Sequence, residues 1–262
     1  MIVDCHSHID FVGEERVSSE HLTAAETVDV SIILAGVSED SSQSNKKLSD
    51  YISKHKEKMA GFAFIEPTTD SISLKSLTAI TEKLGLKGVA LYCSTCGFHP
   101  ANTRAMRLYE SAQELGIAVF FHNDCLAGTE TVLHYAQPFL LDEVARTFPD
   151  LKIVIGTMGV PFVEQTLSMI ANHPNVYADL TINPGSIWQV YNIVVTAHEC
   201  GVMDKLLFGS GFPSASPAQC IETLLGFNQL LGDTSLPTVP RGDIRNIIER
   251  DTLNVLGINL SG

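Results

Sequence analysis

Short apolar, β-branched runs punctuate the chain at residues 2–5, 31–35, 60–65, 88–92, 117–121, 152–155, 176–179 and 205–208. They recur roughly every 30 residues, the spacing that a strand followed by a helix requires. Their near-continuous hydrophobicity suits parallel strands covered on both faces. The segments between them carry helical period and helix-boundary residues. Residues 103–115 end at Gly116, a glycine placed to cap a helix C-terminus. Residues 138–148 stop before Pro149, which disfavours continuing a helix. Stretches 162–171, 187–199 and 218–231 read the same way, and 241–256 predicts one closing helix. The polar connection 231–241, with Pro237 and Pro240, is a loop before that helix. Eight alternations without a glycine-rich phosphate turn after the first run favour a closed (β/α)8 TIM barrel over an open doubly wound sheet. The 262 residues suit a barrel of about 250, so the expectation is one domain over 1–262.

Composition narrows the function classes. Hydrophobic residues make up 45% and charged residues 18%, an ordinary globular balance. The formal net charge of −13 repels phosphate backbones and argues against a nucleic-acid partner. The basic run from Lys46 to Lys58 also holds Asp50 and Glu57 and reads as the solvated face of a helix. Six scattered cysteines do not resemble a disulfide framework. No basic-then-apolar leader and no apolar run of about 18 residues is present, so neither secretion nor a membrane is expected, and the cytoplasm is the default.

The chemistry concentrates at strand ends. His6 and His8 flank Ser7 at the end of the first run, and residues two apart on a strand share a face. Both imidazoles therefore converge at the C-terminal mouth of a barrel, where such folds build their sites. His122 ends the fifth run. Three imidazoles with an open fourth position form the donor set of a catalytic divalent metal, zinc first among them.

The motif Asp4-Cys5-His6-Ser7-His8 resembles the opening of the amidohydrolase superfamily, and in particular the branch containing aminocarboxymuconate-semialdehyde decarboxylase. Gly61-Phe62-Ala63, Lys87-Gly88-Val89, Gly97-Phe98, Phe148-Pro149-Asp150-Leu151-Lys152, Leu206-Leu207-Phe208-Gly209-Ser210 and the closing stretch 244–257 fall where that branch has similar segments. The resemblance covers essentially the whole chain. It implies a metal-dependent hydrolase or decarboxylase acting on a small organic acid, lactone or amide, with zinc or a similar ion on His6, His8 and His122. It also implies a homodimer.

Three positions depart from the branch. After the sixth strand the branch reads Gly-His-x-Gly, and here Thr157 replaces the acid/base histidine. After the eighth it reads Gly-Ser-Asp-x-Pro, and Gly211 replaces the metal-binding aspartate. Ala90 stands where many relatives place a lysine or another polar residue. Each lost proton-transfer group costs about 10²–10⁴-fold in rate. Candidate substitutes are Asp124, two residues after His122, and Asp179, at the end of the seventh run. Glu66 ends the third run, and Asp4 is placed to orient His6 or His8 from behind. Thr157, Gly211, Cys93, Phe98 and Glu66 are expected around the pocket, with Phe121, Phe162, Phe212 and Trp188 as apolar lining. His21, His55, His134, His173 and His198 read as surface or satisfied core. Two other readings stay open. One is a non-catalytic barrel that binds a metabolite in the old pocket. The other is a cysteine enzyme pairing Cys93 or Cys96 with His122.

Overall fold

The computed structural model describes residues 1–9, 14–123, 128–232 and 234–260. Eight parallel strands form one sheet in sequential order: β1 (Val3–Ser7), β2 (Val30–Leu34), β3 (Met59–Phe64), β4 (Gly88–Leu91), β5 (Ala118–Phe121), β6 (Ile153–Ile155), β7 (Val176–Thr181) and β8 (Leu206–Gly209). All eight coincide with the apolar runs to within a residue or two. The first and last strands meet at the C-terminal mouth, where His8 N–H donates to the Phe212 carbonyl at 2.8 Å and Gly211 N–H donates to the His6 carbonyl at 2.9 Å. The helices between them complete a (β/α)8 TIM barrel.

Those helices are α1 (Glu14–Ala24), α2 (Ser41–Ile52), α3 (Leu74–Lys83), α4 (Thr103–Leu115), α5 (Asp142–Thr147), α6 (Val163–Asn172), α7 (Ile187–Glu199), α8 (Pro217–Leu225), α9 (Arg241–Ile248) and α10 (Thr252–Leu256). Side-chain caps set many of their starts. Asp40 accepts from Gln43 N–H, and Ser216 forms a capping box with Gln219 ahead of Pro217. Gly116 ends α4 in the left-handed conformation, at φ 67°.

Three predicted helices are divided. Residues 138–148 begin as a 3-10 turn (Pro138–Leu141) that runs into α5, and 218–231 end in another (Phe227–Leu231). The closing helix is two, α9 and α10. Between them Arg250 donates to the carbonyls of Leu206 and Met203 at the base of β8, while Asp251 caps α10 by accepting from Asn254 N–H. Helical period alone does not register these tertiary anchors.

Along β4, β5 and β6 alternate residues part into two buried clusters. Val89, Leu91, Val119, Phe121, Ile153 and Ile155 pack with Leu108, Tyr109 and Ala112 of α4, beneath the helices. Ala90, Phe120 and Val154, which point inside the barrel, join Leu207 in a second cluster that also takes in β1 to β3 and the helices beside them. The same parity turns His122, two residues beyond Phe120, toward the axis. It does so for Asp179, because Ala178 and Leu180 face the helices. No helix among the described residues is long and apolar enough to cross a membrane.

Candidate metal centre

His6, His8 and His122 meet at the mouth. His6 Nε2 lies 3.0 Å from His8 Nε2, which lies 3.1 Å from His122 Nε2. The rings stand edge to face, with centroids 4.9–5.0 Å apart. They are the one group of three or more His, Cys, Asp or Glu side chains among the described residues that is arranged to hold an ion.

An outer partner orients His6. Asp179 Oδ2 accepts from His6 Nδ1 at 2.5 Å, which puts the ring proton on Nδ1 and leaves a lone pair on Nε2. The backbone of Leu34 beside His8 favours its protonated form against the larger effect of burial. One nitrogen from each of the three rings lies within 4.8 Å of the others, and this donor set fits a divalent metal. Burial, reinforced by the neighbouring His6, lowers the His8 pKa to about 3. Burial also holds His122 well below the ordinary histidine range. Both rings are neutral at physiological pH, the form that binds metal.

Asp179 is fully buried and lies behind the histidines, away from the cavity. Its Oδ2 also accepts from Thr157 N–H at 3.0 Å and from Thr181 Oγ1 at 2.6 Å. Thr181 in turn lies 2.9 Å from His6 Nδ1. The expectation that Asp179 works at the mouth is therefore corrected to one of orientation: a carboxylate with three donors on Oδ2 and the Cys5 thiol on Oδ1 positions His6. Gly209 makes room for it, since a Cβ there would stand 2.1 Å from Asp179 Oδ1. Asp4 is corrected as well. It touches neither imidazole ring; instead it accepts from His6 N–H, Ser7 Oγ and the amide and hydroxyl of Ser210, stitching β1 to the end of β8. Thr181 was missed by sequence reading, although its position two residues after Asp179 on the same strand carried the signal. The Leu34 backbone left no trace in the sequence.

A cavity of about 540 Å³ opens over the histidines. Thr157 and Gly211 line it, with Tyr92, Asn123, Asn183, Gln189 and Ser214. Thr157 has φ 50° and Met158 φ 52°, a left-handed pair that folds the turn over Asp179 and directs the Thr157 amide at its carboxylate. Holding a β-branched residue there costs about 1–2 kcal/mol. Gly211 has φ 65°, and a Cβ on it would lie 2.7 Å from Thr181 Cγ2. The space next to Gly211 is thus taken by Thr181, and a side chain there would require that residue to move.

Other expected pocket residues lie elsewhere. Phe98 is buried in the core beneath the helices, Phe212 packs its ring on His21, and neither Phe121 nor Phe162 reaches the main cavity. Trp188 is 62% exposed and stacks on Tyr191, on the side of α7 away from the cavity wall. Glu66 accepts from Thr68 within its own turn. Cys93 lines a separate space of about 20 Å³ beside His122. Burial pushes its thiol well up, and burial with Glu66 and Asp70 pushes Cys96 up to about 12, so neither is a ready thiolate. Asp124 lies outside the described residues. His21 and His173 are satisfied, by Tyr51 Oη at 3.0 Å and Asp142 at 2.9 Å.

The sequence model of the family described as Amidohydrolase matches residues 3–239. A comparison with curated proteins gave no match. Among solved structures, the chain is similar to a probable 2-pyrone-4,6-dicarboxylic acid hydrolase from Acinetobacter baumannii with citric acid bound, at 14% identity and a TM-score of 0.70, covering 98% of this chain and 99% of that one. It is similar to 5-carboxyvanillate decarboxylase from Novosphingobium aromaticivorans complexed with manganese and 4-hydroxy-3-methoxy-5-nitrobenzoic acid, at 11% identity and a TM-score of 0.70 over 98% and 96% of the two chains. A third is a dihydroxybenzoic acid decarboxylase from Polaromonas sp. with bound manganese and the inhibitor 2-nitroresorcinol, at 14% identity and a TM-score of 0.62 over 98% and 96%. At these identities the likeness is one of fold.

Proposed function

Because the chain belongs to the amidohydrolase family, whose sequence model spans residues 3–239, we propose that it is a metal-dependent hydrolase or decarboxylase of a small organic acid, lactone or amide, with the metal held by His6, His8 and His122. The observation that carries this reading is the convergence of three Nε2 atoms, with Asp179 holding the His6 proton on Nδ1 so that its Nε2 lone pair faces the other two rings. Solved structures of similar fold that hold manganese support a divalent ion, and the imidazole donors suit zinc equally well. When bound, such an ion supplies Lewis acidity toward a carbonyl or carboxylate.

The chain's own residues favour decarboxylation over hydrolysis. Among the described residues, no cavity-lining side chain other than the imidazoles exchanges protons near neutrality, and Thr157 and Gly211, the positions at which the resemblance implies a histidine and an aspartate, supply neither. Hydrolysis needs a base to take a proton from water. Loss of carbon dioxide needs no base to activate water, but the carbon that gives up its carboxylate must take a proton, which solvent entering the open cavity supplies. Asp179 keeps its proton contact with His6 Nδ1 throughout and does not reach the substrate. Asp124 is the remaining candidate base.

Thr157 and Gly211 in the cavity wall also support a second reading, a barrel that binds a metabolite without turning it over. Elemental analysis of untagged protein separates the two. Near one equivalent of metal, lost in a His6→Ala, His8→Ala variant, is the expected result. Protein that holds none, even after incubation with zinc, would leave the non-catalytic reading. Metal-loaded enzyme is expected to release carbon dioxide from a carboxylated aromatic panel, and a purely hydrolytic product would overturn the preference for decarboxylation.

A further inference from the structure

The described part of the cavity wall carries no fixed charge. Among its described lining residues there is no lysine, arginine, aspartate or glutamate; apart from the three histidines the one ionisable group is Tyr92, whose hydroxyl donates to the Ala35 carbonyl at 2.8 Å. The polar side chains at the rim are neutral. The side chains of Thr95, Gln189 and Ser214 make no hydrogen bond to another described residue, so their groups are open to a ligand. Val160, Ile182, Val190 and Ile193 add apolar surface to a wall whose other polar side chains, Asn123, Thr157, Thr181 and Asn183 among them, are neutral. The stretches 10–13 and 124–127, which follow β1 and β5, contain Asp10 and Asp124 and no basic residue. Arg16 is the one cation of the chain whose side chain lies outside the description.

An acidic group moved from water into such a wall meets no counter-charge among the described residues, and an ionised carboxylate that leaves water without one is disfavoured. The one place that compensates an anion is the histidine end, where three neutral imidazoles would leave a bound divalent ion its full charge. The excess of 30 acidic over 17 basic residues adds a field that repels polyanions before they enter.

We propose that this site selects small molecules with a single acidic group, directed at the histidines, and with neutral hydroxyl, amide or ether functions at the rim, and that it rejects di- and tricarboxylates. The proposal rests on the metal reading above and narrows its substrate class.

Calorimetric titration of zinc-loaded protein with 2-hydroxybenzoate and with 4-hydroxybenzene-1,3-dicarboxylate compares two probes that differ by one carboxylate. The monoacid is expected to bind at least tenfold more tightly. Gln189→Arg, which places a cation in the wall, is expected to shift the ratio at least tenfold toward the diacid, and Arg16→Ala to leave it unchanged. A diacid that binds wild-type protein as tightly as the monoacid, or monoacid binding that depends on Arg16, would overturn the proposal. Zinc-loaded protein that binds neither acid would overturn it too, while leaving the metal reading intact. Failure to load zinc would instead be the failure of that reading.

Discussion

At the scale of single residues, the centre depends on Asp179 behind the histidines as well as on the groups that face the cavity. Its Oδ2 gathers three donors, so an amide in its place would turn its carbonyl to the same position and keep His6 in the same tautomer. What the amide lacks is the negative charge that makes His6 a better donor. Removing an outer partner of a ligating histidine weakens metal affinity by about 10–100-fold. Asp179→Asn should therefore fall near the lower end of that range and Asp179→Ala near the upper, with folding retained in the first. Competition against a chromogenic chelator measures both. Wild-type affinity in the alanine variant would show that His6 needs no such partner.

At the scale of elements, strand parity carries His122, Asp179 and Gly209 to the inside, and the approach of β8 to β7 depends on the missing side chain at Gly209. Gly209→Ala places a methyl group against the Asp179 carboxylate and within 3.0 Å of His6 Cβ. Neither neighbour can yield without breaking the His6–Asp179 contact. The expected cost is about 1–3 kcal/mol, as for other overpacked cores, together with weaker metal binding. Chemical denaturation and the same chelator assay test the two effects. A stability change without a metal effect would mean that the strands separate slightly instead of displacing Asp179.

For the molecule as a whole, buried neutral histidines couple stability to pH. Burial holds His8 at about 3 and His21 at about 4, and keeps His122 well below the ordinary value. In the unfolded chain each titrates near about 6.5. All three are depressed in the folded state, so their contribution is complete above that value and is lost as pH falls toward 4, where the unfolded chain takes up protons that the folded chain refuses. Melting temperature should drop steeply between pH 7 and 4.5, with an uptake of about three protons on unfolding. His21→Gln should remove about one of them. A flat profile over that window would show that these rings are protonated in the folded protein.

The sequence by itself determined the barrel and the histidines. Strand spacing, apolar runs and the H-x-H motif are local properties, and alternation along a strand fixes which neighbours share a face whatever surrounds them. Hence the eight strands and the convergence of His6, His8 and His122 were legible. Only the tertiary structure decided what stands behind and around those rings. Asp179 reaches His6 across 173 positions of chain and Ser210 reaches Asp4 across 206. Leu34 acts through backbone that every residue possesses. The break between α9 and α10 has the same origin, because Arg250 answers to carbonyls of another element. Contacts of this kind depend on where strands and loops come together in space, and no pattern of neighbouring residues encodes them.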